Sequence, residues 1–600
     1  MLGRMTKNTR RLVDCAMGRI PADLVIRNGR WVCVQSGEII PSIDLAIIDG
    51  RFALVGQDAS HTIGAETRMV DAKGQYLVPG LLDGHVHIES GMLTVTEFVR
   101  AVIPHGTTGL FVDPHEIANV FGLRGVRLMV DEAFHQPIHV FVQMPSCVPS
   151  APGLETPGAA IGPAEVAEAM TWPGIIGLGE MMNFPGVYNS DEKVHAEMSV
   201  TRQAGKVIGG HYASPDLGLP FHGYVAGGPQ DDHEGTRLED AVERVRQGMY
   251  VMMRYGSAWH DVAAQVKAIT QLGLDPRHFL LCTDDAHCAT LVEEGHMDRV
   301  IRHAIAEGLD PLLAVQMATL TTAEYFGVSQ EMGMIAPGRY ADFLLVGDLA
   351  QFDVNSVFGK GELLAQNGRI NIPRPIISYP EWVTQSVNLM KPVQSEDFCL
   401  STNRKGRVTA NVIGILENQA PTRHVQMEID TGADGEISAN PDLDLAKVAV
   451  VERHHKSGRI QVGLVQGFGL KGQCAVATTV AHDAHQIIVA GTDDQNMALA
   501  VNQLKEMGGG QIVVKDGIVI ARVELPIAGL ISSEPAEVVS QKAAKVLAGF
   551  QACGCTINNP NMQLSLLALV VIPELRISDL GLVDVTKFEF IPVIEEQRQS

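Results

Sequence analysis

Two histidines one residue apart, His85 and His87 in Asp83-Gly84-His85-Val86-His87, are the first place in this chain where residue type and spacing suggest chemistry. On a β-strand, residues i and i+2 project from the same face, so both imidazoles point the same way. Two imidazoles on one face can chelate a single divalent ion. An isolated H-x-H is more often a surface or packed pair. Here it follows the apolar run Tyr76-Leu77-Val78-Pro79-Gly80-Leu81-Leu82, which predicts that it closes a buried strand.

The elements that would position this pair are legible as a pattern of apolar runs. Between residues 80 and 330, β-like runs alternate with helix-like stretches. The predicted strands are Leu81–His87, Thr108–Asp113, His139–Gln143, Ile175–Glu180, Val207–His211, one ending near His233, Tyr250–Arg254 and Phe279–Asp284. Eight strands with intervening helices in about 250 residues is the count and length of a (β/α)₈ TIM-like barrel. Several of these strands end in His, Asp or Glu, and catalytic groups of such barrels sit at the C-terminal ends of strands.

Residues 22–80 contain short apolar runs broken by Asn28-Gly29 and Asp49-Gly50, dipeptides that favour hairpins. A similar run, Phe343 to Val346, returns after the barrel segment. The fold class is therefore α/β, with a barrel (80–330) inserted into a small split β-sandwich domain (1–79 and 331–385). Pro373, Pro375, Pro380 and Pro392 mark a connecting segment, and 395–600 reads as a C-terminal α+β domain. In it, Asn496 to Glu506 is helix-like, Ile512 to Val514 strand-like, and Leu564 to Ile572 is expected to be a core strand.

Composition narrows the partners. Sixty-nine acidic against 46 basic residues give a net charge of -23, a field that repels nucleic-acid phosphates and anionic lipid. No apolar run approaches the ~18 residues of a membrane span. The nine cysteines form no C-x-x-C pair, and an odd number of free thiols suits a reducing cytoplasm. Arg4, Lys7, Arg10 and Arg11 belong to an amphipathic first helix in preference to a transit peptide, because no apolar core or cleavage site follows them.

Pro79-Gly80-Leu81-Leu82-Asp83-Gly84-His85-Val86-His87 resembles the first-strand motif of the amidohydrolase superfamily. The continuation Ile88-Glu89-Ser90-Gly91-Met92 is similar to the adenine deaminase family within it. Asp113-Pro114-His115-Glu116-Ile117-Ala118-Asn119-Val120, Ser146-Cys147-Val148-Pro149, Gly179-Glu180-Met181-Met182-Asn183-Phe184-Pro185-Gly186-Val187 and Leu281-Cys282-Thr283-Asp284-Asp285 agree with that family. So do Ala481-His482-Asp483-Ala484-His485 and Leu525-Pro526-Ile527-Ala528-Gly529-Leu530.

The resemblance implies a centre of two divalent metal ions, Mn²⁺ or Fe²⁺ first and Zn²⁺ as an alternative, held by His85, His87, Glu180, His211, His233 and Asp284. Glu180 stands where many superfamily members carry a carboxylated lysine between the metals. The implied reaction is hydrolytic deamination of adenine to hypoxanthine and ammonia, with Glu180 as the N1 proton donor and Asp284 as the carrier to the leaving group. A tight bridging ligand does not readily double as the N1 acid, and both roles stay open for Glu180. Asp113, His115, Arg254 and Ser257 are candidates for substrate contact or for loop-stabilising polar clusters.

His482 and His485 are candidates for the active-site mouth, or for a structural or subunit contact. Ser214-Pro215-Asp216-Leu217-Gly218 departs from the Pro-Gly-Leu pattern expected after His211, which leaves substrate identity more open than reaction class. His195-Ala196-Glu197 has no P-C-x-x-C partner, so the zinc cytidine-type route to deamination is disfavoured. The competing readings are a dihydroorotase- or hydantoinase-like cyclic amidohydrolase, and a non-catalytic metal- or purine-binding homologue. The expected partners are a small purine and a second copy of the chain in a homodimer, with neither nucleic acid nor membrane.

Overall fold

The structure, a computed structural model, describes residues 9–595. Arg4 and Lys7 lie outside the described residues; Arg10 and Arg11 lie on the exposed side of helix Thr9–Ala16, which buries Leu12 and Cys15. Two compact units divide the chain. One comprises Met1–Pro114, Arg127–Cys147 and Gly162–Ile377; the other comprises His115–Val126, Val148–Ile161 and Ser378–Ser600.

In the first unit, β1 (Leu24–Cys33), β2 (Glu38–Ile48), β3 (Arg51–Gly56), β4 (Arg68–Asp71) and β5 (Tyr76–Pro79) precede the histidine pair. The strands from Leu81 to Asp285 are β6 (Leu81–His87), β7 (Thr107–Val112), β8 (His139–Met144), β9 (Ile175–Met181), β10 (Val207–Gly210), β11 (Asp231–Asp232), β12 (Tyr250–Arg254), β13 (Phe279–Cys282) and β14 (Asp284–Asp285). The chain then returns through β15 (Phe343–Val346), β16 (Val354–Gly359), β17 (Glu362–Gln366) and β18 (Arg369–Ile370).

The predicted return is a strand pairing. β15 runs antiparallel to β5, with Phe343 opposite Pro79 and Val346 opposite Tyr76. One nine-stranded sheet results, in the order β18-β17-β16-β15-β5-β1-β2-β3 with β4 beside β1. It has an apolar cluster on each face. Strand alternation sends Leu24, Ile26, Leu45 and Ile47 to a core with Phe343 and Phe358, and Val25, Ala46 and Ile48 to a second core with Leu12 and Cys15.

The parallel strands curl in chain order. β6 to β10 pair successively, β11 to β13 form a separate three-stranded sheet, and Gln230 N–H between them donates to Ile208 O at 2.9 Å. β14 extends the line of β13 and pairs with β6, Asp284 opposite Val86 and Asp285 opposite His87. Every residue of β6 is buried, as expected of a parallel strand covered on both faces. The predicted bounds of the first and seventh of these strands are those observed. The last breaks at Thr283, so that Asp284 starts a new two-residue strand.

The second unit is built on an eight-stranded sheet that includes Arg407–Ile415, Leu445–Val451, Cys474–Thr478, Ile487–Gly491 and Gly510–Lys515. Helix Asp494–Met507 covers it, burying Met497, Ala500, Val501 and Leu504 in the main apolar cluster of this unit. Leu564 to Ile572 is not a strand. Helix Pro560–Leu566 occupies its first part, and Pro560 at the start of that helix supplies a φ suited to helix initiation. The unit also takes in His115–Val126 and Val148–Ile161, two excursions between strands of the parallel sheet, so that its sequence is not contiguous.

Candidate metal centre

The first unit gathers His85, His87, Glu180, His211, His233 and Asp284 at the C-terminal ends of its parallel strands. Three overlapping groups have their ligand atoms within 4.8 Å of one another: His85, His87 and Glu180; His85, His233 and Asp284; and Glu180, His211 and His233. The two Nε2 atoms of His85 and His87 are 3.0 Å apart, close to the spacing of two donors at ~2.1 Å from a shared ion. His85 and His233 stack with ring centroids 4.1 Å apart.

Glu180 is the hinge of this arrangement. Its Oε1 lies 3.4 Å from His87 Nε2. Its Oε2 lies 3.1 Å from His233 Nε2 and is hydrogen-bonded to His211 Nδ1. One carboxylate therefore faces the first-strand histidines with one oxygen and the later histidines with the other. Asp284 completes the first set: its Oδ1 is 3.2 Å from His87 Nε2 and 3.7 Å from His85 Nε2.

Local structure explains how each side chain is aimed. His87 Nδ1 bonds to the Asp113 carbonyl at 2.8 Å, which leaves the Nε2 lone pair for the cluster. Asp113 Oδ2 accepts the Glu180 N–H at 2.8 Å. The neighbouring Gly179 is sterically required, because a Cβ there would lie 2.0 Å from that oxygen. Gly210, before His211, is likewise required: its Cβ would lie 1.9 Å from the Asp231 carbonyl. Asp284 adopts a φ of 62°, in the left-handed region that aspartate tolerates better than most residues.

The electrostatics are those of a cation site. Burial, reinforced by His233 and His87, holds His85 well below the usual imidazole range, so it is a neutral donor. Burial also lowers His233, but the Glu180 hydrogen bond and the charges of Glu180, Asp284 and Glu234 override it and raise it to about 9. Burial works against the Asp284 carboxylate, yet its bond to His87 and the Arg254 charge keep it well below the ordinary range. Buried carboxylates that draw protons onto histidines hold a divalent cation by the same attraction.

The predicted substrate residues are placed as follows. Asp113 is fully buried and holds the Glu180 backbone. The Arg254 guanidinium is committed to carboxylates: it donates to Asp284 Oδ2 at 2.7 Å, to Asp261 Oδ2 at 2.8 Å, and to Glu234. The Ser257 hydroxyl donates to Thr290 Oγ1 and accepts the His287 N–H, both at 2.8 Å, tying its loop to the start of helix Cys288–Glu293. His115 belongs to the second unit, in helix His115–Phe121. Glu234 is not among the predicted site residues. It lies 3.7 Å from His233 Nε2, and its only sequence signal is adjacency to that histidine.

A second network was also missed. Asp83, fully buried, accepts the Thr283 N–H at 3.0 Å and the Thr283 hydroxyl at 2.6 Å, and lies 3.1 Å from His296 Nε2. It ties the start of the H-x-H turn to the residue before Asp284.

Two family models match separate stretches of the chain. The amidohydrolase family model matches residues 76–364, and that of the adenine deaminase C-terminal domain matches 419–589. The chain is 57% identical over 584 residues to adenine deaminase 3 of Rhizobium meliloti strain 1021, covering 97% of this chain and 98% of that one. The chain belongs to the adenine deaminase family. It is also 58% identical to an adenine deaminase of Mesorhizobium japonicum over 97% of this chain and 96% of that one. An adenine deaminase of Moorella thermoacetica is 50% identical over 98% of both chains. Among solved structures, a β-aspartyl dipeptidase of Fervidobacterium islandicum AW-1 is similar at 18% identity and a TM-score of 0.45, over 58% of this chain and 98% of that one. Membership in the amidohydrolase family implies divalent metal ions, and the His, Glu and Asp groups of the first unit are a donor set that fits them. Among the described residues no helix is long and apolar enough to cross a membrane.

Proposed function

We propose that this chain hydrolyses adenine to hypoxanthine and ammonia at a centre of two divalent metal ions. One observation carries the reading: the two oxygens of Glu180 are divided between His87 on one side and His211 and His233 on the other, in a chain 57% identical to an adenine deaminase over 97% of its length. In this reading His85, His87 and Asp284 would hold one ion and His211 and His233 the other, with the two oxygens of Glu180 facing the two sets. The nitrogen and oxygen donors, with no thiolate, suit Mn²⁺, Fe²⁺ or Zn²⁺.

Bound there, divalent ions would lower the pKa of a water molecule towards neutrality. Asp284 would accept a proton from the water that adds to C6 and pass it to the departing amino nitrogen as the C–N bond breaks. With both oxygens of Glu180 facing histidines, the carboxyl left for ring N1 is Glu234. It is held ionised: burial opposes its charge, but Arg254, His211 and His233 outweigh it, so it would take the first proton lost by the attacking water and deliver it to N1, while Asp284 handles the second. Arg254 fixes the orientation of Asp284 and Glu234 together. Asp113 positions Glu180 through its backbone.

The test is hypoxanthine and ammonia formation from adenine by protein loaded separately with Mn²⁺, Fe²⁺ and Zn²⁺. Turnover with at least one metal is expected, and its loss in His85→Ala and Asp284→Ala with circular dichroism unchanged. No turnover of adenine under any loading, with hydrolysis of a cyclic amide instead, would replace this reading by the dihydroorotase-like one.

A further inference from the structure

The second unit contains a group of side chains that could hold a metal ion and that no step above uses. His115 opens helix His115–Phe121, and His482 and Asp483 precede strand Ile487–Gly491. His115 Nε2 lies 3.9 Å from Asp483 Oδ1, and His482 Nδ1 lies 3.6 Å from the same oxygen. One ligand atom from each of the three falls within 4.8 Å of the other two. These separations are too long for good hydrogen bonds. They are near the roughly 3.4 Å expected between donors at ~2.1 Å around one tetrahedral ion.

The surroundings favour a cation. Asp483 is 3% exposed, and its Oδ2 has no hydrogen-bond partner. A buried carboxylate oxygen left without a partner costs free energy unless a charge compensates it. His485, fully buried, packs edge-on to His482 with ring centroids 5.3 Å apart. Its Nδ1 accepts the Ala481 N–H at 3.2 Å, which puts the ring proton on Nε2, and that N–H also has no partner. His482 keeps a side-chain exposure of 15%, so an ion has a route in.

We propose that His115, His482 and Asp483 form an additional divalent transition-metal site, with a coordination position open to water or to an anionic or carbonyl oxygen. Two imidazoles and one carboxylate select a borderline ion such as Zn²⁺, Mn²⁺ or Fe²⁺ over Mg²⁺ or Ca²⁺. Three protein ligands leave the shell incomplete, as reactive sites do and closed structural sites do not. The unpartnered Nε2–H of His485 is a donor for an oxygen bound there. None of the three is among the six candidate ligands of the first unit.

The test uses the full chain, stripped with a chelator and reloaded with Mn²⁺. Anomalous diffraction from wild-type crystals is expected to show a peak bounded by His115, His482 and Asp483. In solution, His482→Ala and Asp483→Asn are each expected to lower bound Mn²⁺ by about one equivalent per chain. His85→Ala is expected to leave the peak at His115, His482 and Asp483 in place. No anomalous density there at a Mn²⁺ concentration that fills the first unit's ligands would overturn the proposal. So would Mn²⁺ content equal to wild type in both folded variants.

Discussion

At the scale of single residues, the candidate centre depends on groups outside the six candidate ligands as much as on the ligands themselves. Arg254 is the clearest case. It is 3% exposed and spends its donors on Asp284, Asp261 and Glu234. Such outer partners are worth about 10–100-fold in metal affinity or activity. Arg254→Gln is therefore expected to lower kcat/KM for adenine about 10–100-fold with the fold intact, read by steady-state kinetics alongside circular dichroism. Arg254→Lys should recover only part of the loss, because an ammonium cannot reproduce the fork that reaches three carboxylates.

These partners show where sequence reading stops. His85, His87, His211 and His233 are identifiable because imidazoles at strand ends are chemically conspicuous. The commitments of Arg254, and of Asp83 to Thr283 and His296, are invisible in sequence because the partners are far apart along the chain.

At the scale of elements, one buried carboxyl illustrates how a helix carries an ionisation cost unrelated to the metal centre. Glu197 lies in helix Glu192–Gln203 and is 1% exposed, with the ammonium of Lys193 3.7 Å away. Burial pushes its carboxyl up to about 8, an effect the Lys193 charge does not cancel. A carboxyl whose pKa is higher folded than unfolded binds more protons in the folded state, so its contribution falls as pH rises. The loss begins near the unfolded value of about 4.3 and is complete above about 8.

Glu197→Gln mimics the protonated form. It is expected to match wild type in denaturant midpoint at pH 4.5 or below and to exceed it at pH 9, by an amount on the order of a few kcal/mol. Equal midpoints at pH 9 would contradict the burial argument. His195-Ala196-Glu197 is thus a structural feature of this helix, in agreement with its lack of a thiolate partner.

At the scale of the whole molecule, the first unit is closed by a strand that arrives long after the strand it joins. β15 docks on β5, the strand that leads directly into β6 and the H-x-H turn. Phe343 is fully buried, stacked on Phe358 at 4.5 Å and tilted against Phe52 at 5.9 Å. Removing such a ring from a core costs about 3–5 kcal/mol. Phe343→Ala is expected to reduce the stability of this unit by that amount in denaturant titration. Because Phe343 makes no contact with the metal ligands, kcat at low temperature should stay within about twofold of wild type.

The sequence alone determined the histidine pair, its strand, the succession of parallel strands and the return of the β domain. Each rests on local periodicity and on residue types that can be read in place. Tertiary structure alone decided that Glu180 divides its oxygens between two sets of histidines, that Arg254 faces inward to carboxylates, and that residues 115–126 and 148–161 fold with the C-terminal unit. The physical reason is the same in each case. Which polar groups meet depends on how strands far apart in the chain are brought into register, and no local pattern records that meeting.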